Sequence, residues 1–201
     1  MDKAKTKKIL IREEIRTPSW EILKSTDNKT NIDLPLIVNP NNEGSTFGLR
    51  KVTTKSELIS AIDNARGDGN EVLVEEFIKG RELTVTILDN KAYPIIEIKP
   101  ANSLYDYECK YSKGMAKFIC PAILDFETER RIKSDTEKIF EILGCSVYAR
   151  ADYILDKNNN YYFLEMNTLP GMTKTSLVPK SVAKVGMSFN ELIKNIIKLS
   201  F

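Results

Sequence analysis

Two segments near the end of the chain decide the fold: Tyr148-Ala-Arg-Ala-Asp152 and Glu165-Met-Asn-Thr-Leu-Pro-Gly171. The turn-rich stretch Asp156-Lys-Asn-Asn-Asn160 lies between them, and apolar runs flank it on both sides. This pattern predicts a β-hairpin. With a loop over residues 157–160, Asp156 pairs with Tyr161, and this register determines which side chains face each other along both strands.

The predicted register separates polar from apolar side chains. Asp152 lies opposite Glu165, and Arg150 lies opposite Asn167. Because side chains alternate between the two faces of a strand, these four point the same way. The other face is predicted to join the core, and its side chains are Ala151, Tyr153, Leu155, Tyr162, Leu164 and Met166.

The polar face suits a hard cation with a phosphate partner. Magnesium prefers oxygen ligands and usually takes one or two carboxylates together with substrate phosphates. Arginine is the natural bidentate partner of a phosphate. We therefore predict that Asp152, Glu165 and Asn167 bind Mg²⁺ or Mn²⁺ and that Arg150 meets phosphate oxygens. A polar face on a hairpin is more often merely solvated, so the residues alone leave that alternative open.

Composition is that of an ordinary globular protein. The 201 residues are 42% hydrophobic and 29% charged, with a formal net charge of +2. No strong electric field therefore selects nucleic acid or membrane as a partner. The sequence contains neither an apolar run near the ~20 residues of a membrane span nor a signal peptide, so we expect a cytoplasmic protein. Histidine is absent, which excludes acid–base chemistry by imidazole.

Periodicity and capping signals predict two mixed α+β lobes, residues 1–82 and 83–201, with a ligand cleft between them. Predicted helices cover 3–15 and 127–143 and also begin at two capping boxes, Thr54-Lys-Ser-Glu57 and Ser188-Phe-Asn-Glu191. Predicted strands cover 34–38 and 72–77, and a hairpin of 83–88 and 92–98 turns at Asp89-Asn90.

Two polar loops are further candidates for ligand binding. Asn41-Asn-Glu-Gly-Ser-Thr-Phe-Gly48 combines glycines and hydroxyls, whose backbone N–H groups suit phosphates. Asp106-Tyr-Glu-Cys-Lys-Tyr-Ser-Lys-Gly114 is unusually rich in polar and aromatic residues. Taken by itself, the first pattern is more typical of a plain hairpin turn, and the second is also typical of a surface loop.

The hairpin and the following Asn167-Thr-Leu-Pro-Gly-Met-Thr-Lys-Thr-Ser-Leu177 closely resemble the signature of D-alanine–D-alanine ligases, which belong to the ATP-grasp superfamily. The resemblance runs from Met1-Asp-Lys3 to the final helix. It implies an α+β ATP-grasp fold with the nucleotide cleft between two lobes. It also implies ATP-dependent ligation of two D-alanines through an acyl phosphate, a step of peptidoglycan synthesis.

The resemblance assigns roles to residues in three sites. The implied nucleotide contacts are Lys3, Ser45, Thr46, Glu75, Phe77, Ile78, Glu82 and Lys110. Besides Arg150, the implied catalytic residues are Ser45, Lys110 and Tyr111. The implied contacts to the D-alanine substrates are Tyr111, Gly171, Ser176 and Leu177.

The chain departs from the family pattern in three ways. Asn39 replaces a lysine that neutralises phosphate charge, and Glu14 replaces a glycine that would stop the first helix. The family also has a domain before the region that matches Met1, and this domain contacts the first D-alanine. Two alternatives follow, namely an ATP-binding module without turnover and a chain that works with a separate N-terminal domain or as a homodimer. A ligase for another acid and amine is a third alternative.

Overall fold

The computed structural model describes residues 2–24, 29–44, 48–67, 71–100 and 116–201. These residues form two compact units that divide between Lys79 and Gly80, slightly before the boundary expected after residue 82. Predictions for Ser45, Thr46, Lys110 and Tyr111 lie outside the described residues. Across the described ranges, no helix has the length and apolar character needed to cross a bilayer.

The first unit is built on an antiparallel sheet. Its described elements are α1 (Lys3–Arg12), β1 (Trp20–Leu23), β2 (Leu36–Pro40), β3 (Arg50–Val52), α2 (Lys55–Arg66) and β4 (Val72–Glu76). The strands lie in the order β1-β4-β2-β3. Alternate strand residues share one core with α2, and this core consists of Leu23, Leu36, Val38, Val52, Ala61, Ile62, Ala65, Val72 and Val74.

The first helix is shorter than expected, and a left-handed residue still marks its end. α1 stops at Arg12 instead of residue 15 because Glu14 adopts a left-handed conformation with φ of 61°. The Ile15 N–H donates to Leu10 O at 3.0 Å, and the Glu14 N–H donates to Ile11 O at 3.2 Å. These bonds form the helix stop that normally uses glycine. The replacement of glycine by Glu14 therefore does not remove the stop, although it strains the backbone.

The second unit holds the larger sheet. Its described elements are β5 (Gly80–Leu88), β6 (Lys91–Ala92), β7 (Ile96–Pro100), β8 (Ala116–Ile119), α3 (Phe126–Ile142), β9 (Tyr148–Asp156), β10 (Tyr161–Asn167), α4 (Leu177–Ala183) and α5 (Phe189–Leu199). The strand order is β10-β9-β5-β7-β8, and β6 pairs with β5. All described strand pairs are antiparallel, and the strand order places β5 at the centre of the sheet, between β9 and β7.

Local signals in the second unit behave as predicted. Asp89 and Asn90 both have positive φ, 52° and 59°, which is the geometry of a tight hairpin turn between β5 and β6. Gly144 follows α3 with φ of 63°. The Ser188 capping box opens α5.

The predicted strand over 92–98 is instead divided into β6 and β7, and Pro94, which has no N–H to donate, lies in the gap.

The hairpin loop is one residue shorter than predicted. Asp156 closes it by donating its N–H to Asn160 O at 2.8 Å, and its carboxylate accepts from the N–H groups of Asn158 and Asn160. Asn159 takes a left-handed conformation with φ of 59°, as is usual in three-residue hairpin loops. Tyr161 consequently pairs with Leu155, not with Asp156.

A β-bulge at Leu164 restores the predicted register further along β10 and changes the predicted core. The bulge inserts one extra residue between Phe163, which pairs with Tyr153, and Glu165. Phe163 is therefore buried against Tyr153, with ring centroids 5.6 Å apart. Leu164 and Tyr162, which were predicted to be core residues, are only half-buried.

Tyr153 joins the sheet to α3. Its ring is fully buried, and its hydroxyl lies 2.8 Å from the Thr136 hydroxyl on α3. Burial raises the pKa of Tyr153, so the phenol stays neutral and can serve as a hydrogen-bond partner in the core. This packing leaves the opposite face of β9 for polar side chains.

Candidate functional site

The polar face of the hairpin forms as the sequence predicted. Asp152 pairs with Glu165, and Arg150 pairs with Asn167. The pairing brings two carboxylates, a guanidinium and an amide onto one patch of sheet. The hypothesis that this face is merely solvated is not supported for Asp152, because its side chain is only 11% exposed.

Described neighbours in this patch donate four hydrogen bonds to Asp152. Arg150 donates from Nε to Oδ1 at 2.9 Å and from Nη2 to Oδ2 at 2.8 Å. Thr84 Oγ1 donates to Oδ1 at 2.6 Å, and Asn167 Nδ2 donates to Oδ2 at 3.1 Å. Paired hydrogen bonds between a guanidinium and a carboxylate are among the stronger types in proteins, so they offset part of the cost of burying Asp152.

The Asn167 amide lies between the two carboxylates. Its Nδ2 is 3.1 Å from Asp152 Oδ2 and 3.1 Å from Glu165 Oε1. The partly positive NH₂ group thus contacts one oxygen of each carboxylate. Rotation of the amide by half a turn brings its oxygen to this side and completes a set of three oxygen-bearing groups. This donor set fits Mg²⁺ or Mn²⁺, which bind oxygen ligands.

The cluster contains few protein ligands for a divalent cation. In the part of the chain that the structure describes, no group of three or more His, Cys, Asp or Glu residues is placed to hold a metal ion. Two carboxylates and an amide leave coordination positions for phosphate oxygens or water, as is usual for magnesium in phosphate-binding sites.

A third strand completes the polar face. β5 places Thr84 beside Asp152, Thr86 beside Arg150 and Glu82 beside Ile154. The contribution of Thr84 was missed because β5 and β9 are distant in sequence. A signal was nonetheless present, since polar residues at 82, 84 and 86 alternate with three apolar ones at 83, 85 and 87. The structure therefore places Glu82, expected at the ribose, on the same sheet face as the carboxylate pair.

In the first unit, Lys3 is engaged with backbone carbonyls. Its ammonium donates to Pro40 O at 2.9 Å, to Asn41 O at 3.4 Å and to Glu43 O. The side chain is nearly buried, with the residue 6% exposed. Lys3 thus holds the backbone of residues 40–43, at the start of the predicted phosphate loop over 41–48.

Glu75 forms a buried ion pair that the sequence did not predict. Lys7 Nζ on α1 lies 2.7 Å from Glu75 Oε1, and the two side chains are 1% and 11% exposed. The residues lie far apart in sequence, and Lys7 carries no local signal except a charged residue on the inner face of an amphipathic helix. Asn39 is also buried, and it faces the same side of the sheet as Ile37, the partner of Glu75.

The end of the first unit contains the two apolar residues expected at the adenine. The Phe77 N–H donates to Pro35 O at 3.2 Å, and Lys51 Nζ lies 3.7 Å from the centroid of the Phe77 ring. Ile78 is half-buried. Phe77 is thus fixed by a backbone bond on one side and a cation on its ring.

The residues expected at the second substrate lie in one local turn. Ser176 Oγ accepts from the Thr173 N–H at 3.0 Å and lies 2.9 Å from the Thr173 hydroxyl. A Cβ added at Gly171 would lie 3.4 Å from Ser176 Oγ, so these two residues are close neighbours. Leu177 begins α4 and is buried.

Comparison with known proteins gives the family. The model of the D-ala D-ala ligase C-terminus matches residues 7–198. A D-alanine–D-alanine ligase from Methylacidiphilum infernorum is 40% identical over 200 residues, which are 100% of this chain and 66% of that relative. The chain therefore spans slightly less than two thirds of this curated relative.

Solved structures agree with this match. A D-alanine–D-alanine ligase from Bacillus anthracis, complexed with ATP, has a TM-score of 0.83 at 36% identity and covers 99% of this chain and 65% of its own. A VanG D-Ala:D-Ser ligase from Enterococcus faecalis has a TM-score of 0.87 at 30% identity, over 100% of this chain and 62% of its own. The chain has the α+β ATP-grasp fold, and it belongs to the D-alanine–D-alanine ligase family.

Proposed function

We propose that this chain supplies the nucleotide and metal sites for ATP-dependent ligation of two D-alanines. The product is D-alanyl-D-alanine for peptidoglycan synthesis in the cytoplasm, and an acyl phosphate is the intermediate. The observation that carries the proposal is the cluster of Arg150, Asp152, Glu165 and Asn167 on one sheet face. The family of the chain and the ATP-bound Bacillus anthracis relative support it.

The second unit would hold the triphosphate end of ATP. Asp152, Glu165 and Asn167 would hold Mg²⁺ or Mn²⁺, which would neutralise phosphate charge during transfer. Arg150 is oriented by its two bonds to Asp152, so its guanidinium is fixed before a phosphate arrives. Preorganised charge of this kind stabilises a transition state without reorganisation. Glu82, on the same face, would accept hydrogen bonds from the ribose hydroxyls.

The first unit would hold the base of the nucleotide. Phe77 and Ile78 offer apolar surface for adenine, and Phe77 is fixed by its bond to Pro35. Glu75 is already engaged by Lys7, so we assign it to orienting this segment as well as to contacting the base. Lys3 is assigned to the phosphates through the loop segment that it holds.

The second substrate would bind at the turn that contains Gly171 and Ser176. The Ser176 hydroxyl can donate to a substrate carboxylate once its contact with Thr173 rearranges. Contacts to the first D-alanine would involve Ser45 and Tyr111, together with the part of the relatives that this chain does not match. That part could be supplied by the same polypeptide, a separate chain or a homodimer.

A second function, ATP binding without ligase turnover, is favoured by one observation. Asn39 is buried on the side of the sheet that carries Glu75, where the family has a lysine. Loss of one cation could remove about 2–4 kcal/mol of transition-state stabilisation, by analogy with a lost charge-stabilising donor.

Thermal unfolding and phosphate release test both functions. Millimolar Mg-ATP should raise the melting temperature of the chain, because a ligand that binds only the folded state stabilises it. An unchanged melting temperature would contradict any nucleotide role. Phosphate release that depends on D-alanine would support the ligase, and binding without such release would support the ATP-binding module.

A further inference from the structure

We infer that Thr84 is a positioning residue that decides which oxygen of Asp152 faces a bound cation. The inference rests on the proposed function of the Asp152 site. Thr84 lies on β5 directly beside Asp152, and it is only 2% exposed. Its hydroxyl is 2.6 Å from Asp152 Oδ1 and 3.3 Å from Ala151 O. Because a hydroxyl has one proton, the shorter distance assigns that proton to the carboxylate.

The two oxygens of Asp152 have different partners. Oδ1 accepts from Thr84 and from Arg150 Nε, and these two donors use both of its lone pairs. Oδ2 accepts from Arg150 Nη2 at 2.8 Å and from Asn167 Nδ2 at 3.1 Å. The Asn167 bond is the longest of the four, and rotation of the amide alone releases it. Oδ2 is therefore the oxygen that can exchange a protein donor for a cation.

The hydroxyl of Thr84 keeps this assignment fixed. Oδ2 lies on the side of Glu165, because the Asn167 amide contacts both residues at 3.1 Å. Without the hydroxyl, Oδ1 would keep only Arg150 Nε among its described donors, and one lone pair of a buried acceptor would be left unpaired, which is costly. The carboxylate would then turn to find another partner and would take Oδ2 away from Glu165. Because threonine is β-branched, its χ1 is stiff and the hydroxyl stays aimed at Asp152.

Thr86 provides a matched control on the same strand. It lies two residues from Thr84, faces the same way, and is also 2% exposed. Its strand partner is Arg150. For Thr86, the described part of the chain shows no hydrogen bond from the side chain to Asp152. Thr84→Val and Thr86→Val therefore make the same chemical change at equal burial, and only the first removes a bond to the proposed cation ligand.

The test compares ADP affinity with and without Mn²⁺ by isothermal titration calorimetry on the whole chain. We expect Mn²⁺ to tighten ADP binding in the parent and Thr84→Val to reduce that gain about tenfold, which corresponds to about 1.4 kcal/mol. ADP affinity without Mn²⁺ should be unchanged. Thr84→Ser keeps the hydroxyl and should retain the gain, as should Thr86→Val.

Each other outcome contradicts the inference at a different point. A full Mn²⁺ gain in Thr84→Val would show that the hydroxyl does not orient Asp152. If Thr86→Val reduces the Mn²⁺ gain as much as Thr84→Val does, the effect comes from the polarity of β5 and not from the hydrogen bond between Thr84 and Asp152. If Thr84→Val does not fold, Thr84→Ala removes the same hydroxyl without adding a methyl group and must show the same loss. No Mn²⁺ gain in the parent would overturn the proposed metal site and this inference with it.

Discussion

Two glutamates expected in the binding site differ in their surroundings: Glu75 in the first unit, a predicted nucleotide contact, and Glu165 in the second, a predicted metal ligand. Glu75 is buried with Lys7, and its carboxylate lies 2.7 Å from the ammonium. Glu165 is half-buried and meets the Asn167 amide, among the described residues, at 3.1 Å. The charge of the Glu75 carboxylate is balanced by the Lys7 ammonium, whereas the Glu165 carboxylate lies opposite a second carboxylate, that of Asp152. Under the proposed function, the first carboxylate serves the fold and the second serves a cation.

The largest expected effect comes from breaking the Lys7–Glu75 pair. Lys7→Met leaves the Glu75 carboxylate buried without its partner and should lower the free energy of unfolding by about 3–5 kcal/mol. Urea denaturation measures the change. Replacing both residues with Lys7→Met and Glu75→Leu should recover much of the loss, because no buried charge then remains. If the single variant is as stable as the parent, the pair is not structural.

Asn39→Lys sharpens the comparison by adding a cation to the same side of the sheet as Glu75. We expect tighter ATP binding by about 1 kcal/mol, the attraction between unit charges about 4 Å apart in water, with more in a less polar environment. Calorimetric titration with Mg-ATP measures this. Asn64→Lys adds the same charge at an exposed position on α2 and should leave the affinity unchanged. Unchanged or weaker binding in Asn39→Lys would place Asn39 away from the phosphates.

Glu14→Gly has the smallest expected effect and should act on the fold alone. Glu14 has φ of 61°, a conformation that costs a side-chain-bearing residue about 1–2 kcal/mol and glycine almost nothing. Part of this gain is offset by the greater freedom of glycine in the unfolded chain, so we expect stabilisation by about 0.5–1 kcal/mol. Urea denaturation should show it, with Mg-ATP affinity unchanged. Glu13→Gly, at a residue with φ of −97°, should not stabilise.

The sequence predicted the parts of this molecule that depend on neighbouring residues. Both capping boxes, the Asp89-Asn90 turn and the Gly144 helix stop involve residues within a few positions of one another. The predicted pairing of Asp152 with Glu165 was also correct. The shorter loop shifts the register of β10 by one residue, and the bulge at Leu164 shifts it back. Strict alternation cannot reveal an inserted residue, so Phe163 was missed as a core residue.

The parts that could not be predicted join distant segments. Thr84 reaches Asp152 only because β5 pairs with β9, and Lys7 on α1 reaches Glu75 on β4 only through the fold of the first unit. Neither partner can be identified from spacing along the chain. The resemblance to the ligases implied nucleotide contacts for Glu75 and Lys3 but did not identify their protein partners. Because of those partners, a mutation of Glu75 or Lys3 is expected to lower the stability of the fold and not only to weaken nucleotide binding.

In the proposed function, Glu165 serves a cation and not the fold. The most direct test measures the Mg²⁺ dependence of ATP binding by calorimetry, together with urea denaturation, for the parent and Glu165→Gln. The variant keeps the shape of the side chain and removes its charge. Glu141→Gln, at an exposed position on α3, is the control.

We predict that Mg²⁺ tightens ATP binding in the parent and in Glu141→Gln but not in Glu165→Gln. The free energy of unfolding of Glu165→Gln should stay within about 0.5 kcal/mol of the parent, as for a substitution away from a structural pair. Two results would contradict this role for Glu165. One is a gain in ATP affinity from Mg²⁺ that is as large in Glu165→Gln as in the parent. The other is a loss of stability in Glu165→Gln comparable to that of Lys7→Met.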